Sequence, residues 1–364
     1  MTELAPARPR SPGSVLKREL DARGWSQKDL AQILGRPAQV ITEIVRGTKQ
    51  ITPDTALELA EAFGTTARLW TSLETEYRLW LAKSRRTTGS LIERRAKIFE
   101  RLPVTELVRR GWIKGSADVD ELEQQVFAFL NVSSLDEDPT PSVSYRRSTD
   151  SEDVAAAQRA WLRRVEIVAG EQRIPAKFSA AKLRNAVPSL RTLAAQPEDV
   201  AKVPGFLAQH GVRFLVVRHL PKTKVDGAAM YERNHPVVAV TLRYDRIDWF
   251  WFTLMHEVAH LALGHKRGHL NFLDERGAQD DDEAAANAFA SDALLPTKAV
   301  AAFAGSQSGL VSRLAVETFA REQAVHPGIV VGRLHFLELV PYSHLRRYLE
   351  KVSGHLGPWT DPVA

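Results

Sequence analysis

The stretch His256-Glu257-Val258-Ala259-His260 constrains this chain more than any other. On a helix of about 3.6 residues per turn, the two imidazoles stand one turn apart on one face and can share a single Zn²⁺. Glu257 lies about 100° further round the same helix, close enough to serve the site without being a ligand. There it can take a proton from an attacking water and return it to a leaving amine. The neighbours are apolar: Trp249, Phe250, Trp251, Phe252, Leu254, Met255, Val258, Ala259, Leu261 and Ala262. Two histidines and a glutamate set among them would be costly to bury without a metal or partners. The spacing therefore predicts a metal centre on a buried helix over about 246–263, ended by Gly264.

Two histidines leave a third ligand to be found. A metzincin would place glycine at 263 and histidine at 266, where this chain has Leu263 and Lys266. His265 and His269 are close in sequence, but a helix stop at Gly264 is expected to turn them away towards the rim. The remaining candidates are Asp280, Asp281, Asp282 and Glu283, which open a further helix running to Leu295 before Pro296. The residues alone leave that choice open. There is no cysteine, which excludes a disulfide scaffold, a thiolate metal site and a cysteine nucleophile.

The first 80 residues have a different character. All eleven histidines of the chain lie at or beyond His210. Basic residues are dense early, with nine Lys/Arg among residues 1–49 and seven in 83–101, in a chain of net charge +5. That balance permits a nucleic-acid partner without requiring one. Residues 1–13, rich in Pro and Arg, are expected to be disordered. Short helical patterns follow, punctuated by Gly24, Gly35, Gly47 and Gly64. Ser26 with Asp29 three residues on makes a capping-box start for the helix Gln27–Leu34. A second helix runs to Val45. This helix, turn and helix can lay the second helix in a DNA major groove while the first crosses the backbone. Val40, Ile41, Ile44 and Val45 should face the core; Ala38, Gln39, Thr42 and Arg46 should face outward. Gln39 and Thr42 can read base edges, whereas Gln27, Lys28 and Lys49 suit phosphates. Further helices are expected over 53–63 and from Thr65 or Thr66 through Trp80.

Residues 81–200 read as a helical connector with Phe99, Leu102, Leu107, Trp112, Leu122, Val126, Phe127, Phe129 and Leu130 as its core. From Val200 the pattern shifts, and Gly211–Val217 and Pro236–Leu242 read as β-strands rich in β-branched residues. The overall class is mainly α with a small β-sheet, α+β. At 364 residues with 44% hydrophobic and 26% charged, the chain has the length of two or three packed domains. The longest apolar run, near Trp249–Met255, is far shorter than the roughly 20 residues of a membrane span. The first residues lack the apolar core of a secretory signal. A cytoplasmic protein without a membrane partner is expected.

Two resemblances sharpen this reading. Residues 12–80, carrying SPGSVLKREL, GWSQKDLAQILGRP, ITEIVRG and ITPDTALELAEAFGTT followed by LW, resemble the HigA-type antitoxin branch of Xre-like regulators. That implies a five-helix helix-turn-helix domain over 14–80 which binds double-stranded DNA. HEVAHLALGH followed by EAAANAFASDALLP resembles the ImmA/IrrE family of gluzincin-type zinc metallopeptidases, with HPGIVVGRLHF at 326–336 also similar. That resemblance implies a peptidase domain over 201–364 and selects Glu283 as the third zinc ligand beside His256 and His260, with Glu257 as base. Asn287, one turn beyond Glu283, would orient it. The implied activity is limited, regulatory cleavage of an Xre-type repressor. A second reading is a HigA-like regulator or antitoxin whose peptidase-like domain senses metal, ligand or partner. A toxin partner and a homodimer are compatible with either.

Overall fold

The computed structural model describes residues 9–85, 91–137, 152–233, 235–265, 269–271, 281–307 and 309–362. The chain divides into two compact units, residues 1–93 and 94–364.

The first unit holds α1 (Pro12–Arg23), α2 (Gln27–Ile33), α3 (Ala38–Arg46), α4 (Pro53–Phe63) and α5 (Ala67–Ser84). The glycines and caps that punctuate the sequence also punctuate the structure. Ser26 and Asp29 form a reciprocal capping box, and Gly24, Gly47 and Gly64 end their helices in the left-handed conformation. One boundary differs. Composition predicts disorder up to residue 13, but α1 starts at Pro12, where Ser11 caps it by accepting from the Ser14 N–H. Gly13 lets α1 approach α3, because a Cβ there would lie 2.3 Å from the Val45 carbonyl oxygen. Leu16, Leu20, Leu30, Ile41, Ile44, Leu59, Phe63 and Trp70 form the core of this unit.

The second unit runs through α6 (Leu91–Arg101), α7 (Val104–Arg109), α8 (Val119–Leu130), α9 (Glu152–Glu171), α10 (Ala180–Arg191) and α11 (Val203–Gln209) to a sheet. Its strands are β1 (Arg213–Val216), β2 (Gly227–Glu232), β3 (His235–Val240) and β4 (His269–Asn271), in the order β1-β3-β2-β4. β1 is parallel to β3, while β2 is antiparallel to both β3 and β4. α12 (Ile247–Leu263) precedes β4, and α13 (Asp281–Leu294), α14 (Thr297–Gly305), α15 (Arg313–Glu322) and α16 (Pro327–Phe336) follow it.

Side-chain alternation sends the strands' residues to two cores. Phe214, Val216, Ala229, Val238 and Val240 pack with α10, α12 and the C-terminal helices. Leu215, Val217, Ala228, Met230, Val237 and Ala239 face the other way, onto Ile98, Leu102, Leu107, Trp112, Val126 and Trp161. Alternate residues of a strand point to opposite faces, so a sheet apolar on both faces needs a cover on each. The helices α6–α9 supply the second cover. Polar ties fasten it: the Trp161 Nε1–H donates to the Val217 carbonyl at 2.8 Å, and Arg110 donates to the Arg218 and His219 carbonyls at 2.7 Å each. Arg164 and Trp112 both donate to the buried Asp361, at 2.6 Å and 3.1 Å. The sequence reading made 81–200 a connector; its described residues from 94 onward pack as part of the second unit.

β2 escaped the sequence reading because Gly-Ala-Ala-Met carries little strand preference. Its small residues suit its place, buried in the middle of the sheet and under α12. Other histidines found plain structural work. His326 Nδ1 accepts from the Gly328 N–H at 3.1 Å and caps α16, and burial pushes its imidazole below the usual histidine range, favouring the neutral ring that can accept. No helix among the described residues is long and apolar enough to cross a membrane.

Candidate metal centre and helix-turn-helix

α12 is buried almost all round, as a helix in the middle of a core must be. His256, Glu257 and His260 are themselves fully buried on it. α13 packs against α12 and brings Glu283 up to the two rings. Glu283 Oε2 lies 3.1 Å from His256 Nε2, and its Oε1 lies 3.5 Å from His260 Nε2. The two Nε2 atoms are 3.0 Å apart. All three donor groups lie within 4.8 Å of one another, and they form the metal-capable group among the described residues.

The protons can be placed. His256 Nδ1 is 2.9 Å from Asn287 Oδ1. A carbonyl oxygen only accepts, so Nδ1 carries the hydrogen, which leaves Nε2, on the side of Glu283, as the nitrogen a neutral ring offers to a metal. With the ring neutral, Nε2 and the carboxylate face each other lone pair to lone pair at 3.1 Å, an arrangement that a cation between them relieves. Tetrahedral ligands at about 2.1 Å from an ion would be about 3.4 Å from each other, near the separations found. The residues present therefore fit a metal ion. Asn287, expected to orient Glu283, places its Oδ1 against His256 Nδ1.

Asp281 and Asp282 occupy the first turn of α13, where negative charge favours the helix's positive end. Asp280 lies outside the described residues, and His269 is on β4. His265 is placed differently from the expectation. Gly264 does end α12, with φ 79°, but the left-handed turn folds the chain back instead of away. The His265 N–H donates to the His260 carbonyl at 2.9 Å, and the two rings meet Nδ1 to Nδ1 at 2.9 Å. Glycine as a helix stop signals an end without giving the direction of the next side chain, which is how the sequence reading missed this residue.

The glutamate of the motif is held close to the sheet. A Cβ at Gly227, the first residue of β2, would lie 2.8 Å from Glu257 Oε1 and 2.7 Å from Thr253 Cγ2. A side chain at 227 would have to displace Thr253 or the Glu257 carboxylate from these positions.

In the first unit, α2 and α3 form the helix-turn-helix. Ile41 and Ile44 are buried, with Val40 and Val45 partly so. Ala38, Gln39 and Arg46 are exposed on α3, as are Lys28 on α2 and Lys49 beyond α3. Thr42 is half-buried, and its hydroxyl donates to Gln27 Oε1 at 2.9 Å. Gln39 Nε2 donates to Glu43 Oε1 at 2.9 Å.

Comparison with known proteins divides the chain in the same way. The family model described as Helix-turn-helix matches residues 16–70, and the model of the IrrE N-terminal-like domain matches residues 210–334. Virulence-associated protein I of Dichelobacter nodosus is 38% identical over 82 residues, spanning 22% of this chain and 76% of that protein. A Pseudomonas aeruginosa protein crystallised with its 18 bp operator DNA is 36% identical, covering 24% of this chain and 91% of its own, with a TM-score of 0.22. An addiction module antidote protein of a HigA family from Coxiella burnetii is 35% identical, covering 22% of this chain and 99% of its own, with a TM-score of 0.20. These three relatives each match about a quarter of the chain or less, whereas His256, His260 and Glu283 fall inside the other matched segment. The chain belongs to the helix-turn-helix family through its N-terminal segment, and residues 210–334 match the model of the IrrE N-terminal-like domain.

Proposed function

We propose that this chain is a zinc-dependent endopeptidase that carries a DNA-binding module and makes limited, regulatory cuts in an Xre-type repressor. The observation that carries the peptidase half is the convergence of two imidazole nitrogens and a carboxylate beside Glu257. His256, His260 and Glu283 would hold the ion. Zinc so bound supplies Lewis acidity, polarising a peptide carbonyl and making water a nucleophile near neutral pH. Glu257 takes the proton of the attacking water and delivers it to the departing amine, so no net proton is consumed within the cycle. Asn287 holds His256 in the tautomer that can be a ligand through Nε2. The apolar packing of α12 keeps bulk water from the back of the site, where fixed charges then act strongly.

The substrate class rests on the resemblance to the ImmA/IrrE family and on the helix-turn-helix in the same chain. A module that binds the repressor's own operator would raise the local concentration of substrate, towards the millimolar range of a short flexible tether. The test is incubation of the zinc-loaded full chain with Xre-type repressors encoded beside it, read by mass spectrometry together with metal analysis. About one zinc per chain and a discrete cut are expected. Absence of stoichiometric metal after reconstitution would refute the metal centre. Metal without cleavage would favour a regulator that senses rather than cuts.

DNA binding by residues 14–80 is expected to be salt-sensitive, with Gln39 and Thr42 at base edges and Lys28 and Lys49 at phosphates. A good bidentate base contact carries about 1–3 kcal/mol of discrimination. Each phosphate contact adds about 0.9 to the slope of log K against log salt. Gln39→Ala should therefore relax sequence preference, and Lys49→Ala should weaken all sequences alike. Selection from random duplexes followed by titration at several salt concentrations checks both. No enriched motif and no shift at low salt would leave the module as a docking element.

A further inference from the structure

We infer that His265 is a positioning residue for the metal centre: it fixes His260 in its ligand tautomer and is itself held by Asp282. The inference rests on the metal-centre reading above. His260 and His265 approach Nδ1 to Nδ1 at 2.9 Å. Two lone pairs, or two N–H groups, would repel at that separation, so the pair shares one proton. His260 can offer a lone pair from Nε2 towards Glu283 only if its Nδ1 carries the hydrogen. His265 Nδ1 is then the acceptor, and the one ring hydrogen of neutral His265 sits on Nε2. That atom lies 3.4 Å from Asp282 Oδ1. The result is a line of carboxylate, imidazole and imidazole ending at a candidate ligand. Each donor in it is polarised by the next, which makes His260 a stronger base towards a cation.

The backbone explains why this pair forms. The left-handed Gly264 sends the His265 N–H back onto the His260 carbonyl, so a residue five positions on returns to the ring it follows. Asp282, one residue before Glu283 on α13, reaches His265 while Glu283 reaches the two ligands. The two imidazoles are thus held by different means, His256 by the neutral Asn287 and His260 by a ring backed by a carboxylate. His265 is mostly buried, with a side chain 12% exposed, whereas Asp282 is half exposed. Substitution at 282 therefore perturbs the chain without opening the core.

The experiment measures zinc affinity of the full-length protein by competition with a chromophoric chelator. It compares wild type, His265→Leu, His265→Asn, Asp282→Asn and His256→Ala, alongside thermal unfolding of each apo form. Loss of such a partner typically costs 10–100-fold in metal affinity, so about that loss is expected for His265→Leu. In His265→Asn the amide Oδ1 stands close to where the ring Nδ1 was and can accept from His260, so most of the affinity should return. Asp282→Asn should show a smaller loss in the same direction, and His256→Ala should lose tight binding altogether. If His265→Leu binds zinc like wild type, the inference fails while the metal centre stands. It fails equally if His265→Asn is as weak as His265→Leu while their apo forms melt like wild type. Should His265→Leu fail to fold, His265→Asn and Asp282→Asn decide by the same criteria. If wild type binds no zinc, both readings fall together.

Discussion

Glu257→Gln should keep its zinc and lose its cleavage. Glutamine is nearly the same size as glutamate, and residue 257 is not among the three groups that converge as ligands. Its amide cannot take a proton from water, so the general-base step is lost. Such a step is worth about 10²–10⁴-fold, and a fall in turnover of at least that order is expected. The tight fit around residue 257 sharpens the comparison. Glu257 Oε1 lies where a Cβ at Gly227 would come within 2.8 Å of it, so the isosteric Glu257→Gln disturbs this packing less than a shortened side chain would. Metal content and the melting temperature should stay at wild-type values. A metal-replete Glu257→Gln protein that cuts at the wild-type rate would show that another group removes the proton. If the variant is inert in the tube yet biologically unchanged, the cell uses the domain as a sensor.

A fragment beginning at Ala201 should not fold, whereas one beginning at Leu91 should. The shorter fragment keeps every strand and every candidate ligand, yet it strips α6–α9 from one face of the sheet. Leu215, Val217, Met230 and Val237, all fully buried in the whole chain, would meet water. At about 1.5–3 kcal/mol for each such side chain, the loss is about 6–12 kcal/mol. That is of the order of a whole domain's stability, about 5–15 kcal/mol. Leu183, Val187 and Leu190 of α10 leave the other core as well. Denaturant titration followed by tryptophan fluorescence distinguishes the cases. Cooperative unfolding of the Ala201 fragment with bound zinc would overturn this account of the sheet's second cover.

What was legible in the sequence, and what was not, follows from how far each signal reaches. Caps and glycine stops are local chemistry, so Ser26, Asp29, Gly24, Gly47 and Gly64 could be read directly. The buried helix of His256 and His260 was legible for a similar reason, since its spacing and apolar company lie within a single turn or two. Glu283 is more than twenty residues from His260, and only a family likeness joined them before the packing of α12 on α13 brought them together. Nothing local announces that His265 returns to His260, because the direction depends on a left-handed residue whose consequence is three-dimensional. The role of 94–200 was hidden for a related reason. A helix that covers a sheet shows the same 3.6-residue pattern as one that packs on another helix, so its partner strands a hundred residues later cannot be inferred from it.

The three hydrophobic clusters have a consequence for inheritance. The first draws its buried members from residues 16–70, and the other two draw theirs from residue 98 onward. A genetic crossover between codons 85 and 90 would fall between α5 and α6 and divide none of these clusters among the described residues. The reading head and the candidate blade could therefore be traded separately among genomes. Each recombinant would start life with each of its described interiors intact. A crossover at codon 200, where the strand pattern begins, would instead deliver a sheet with one bare face.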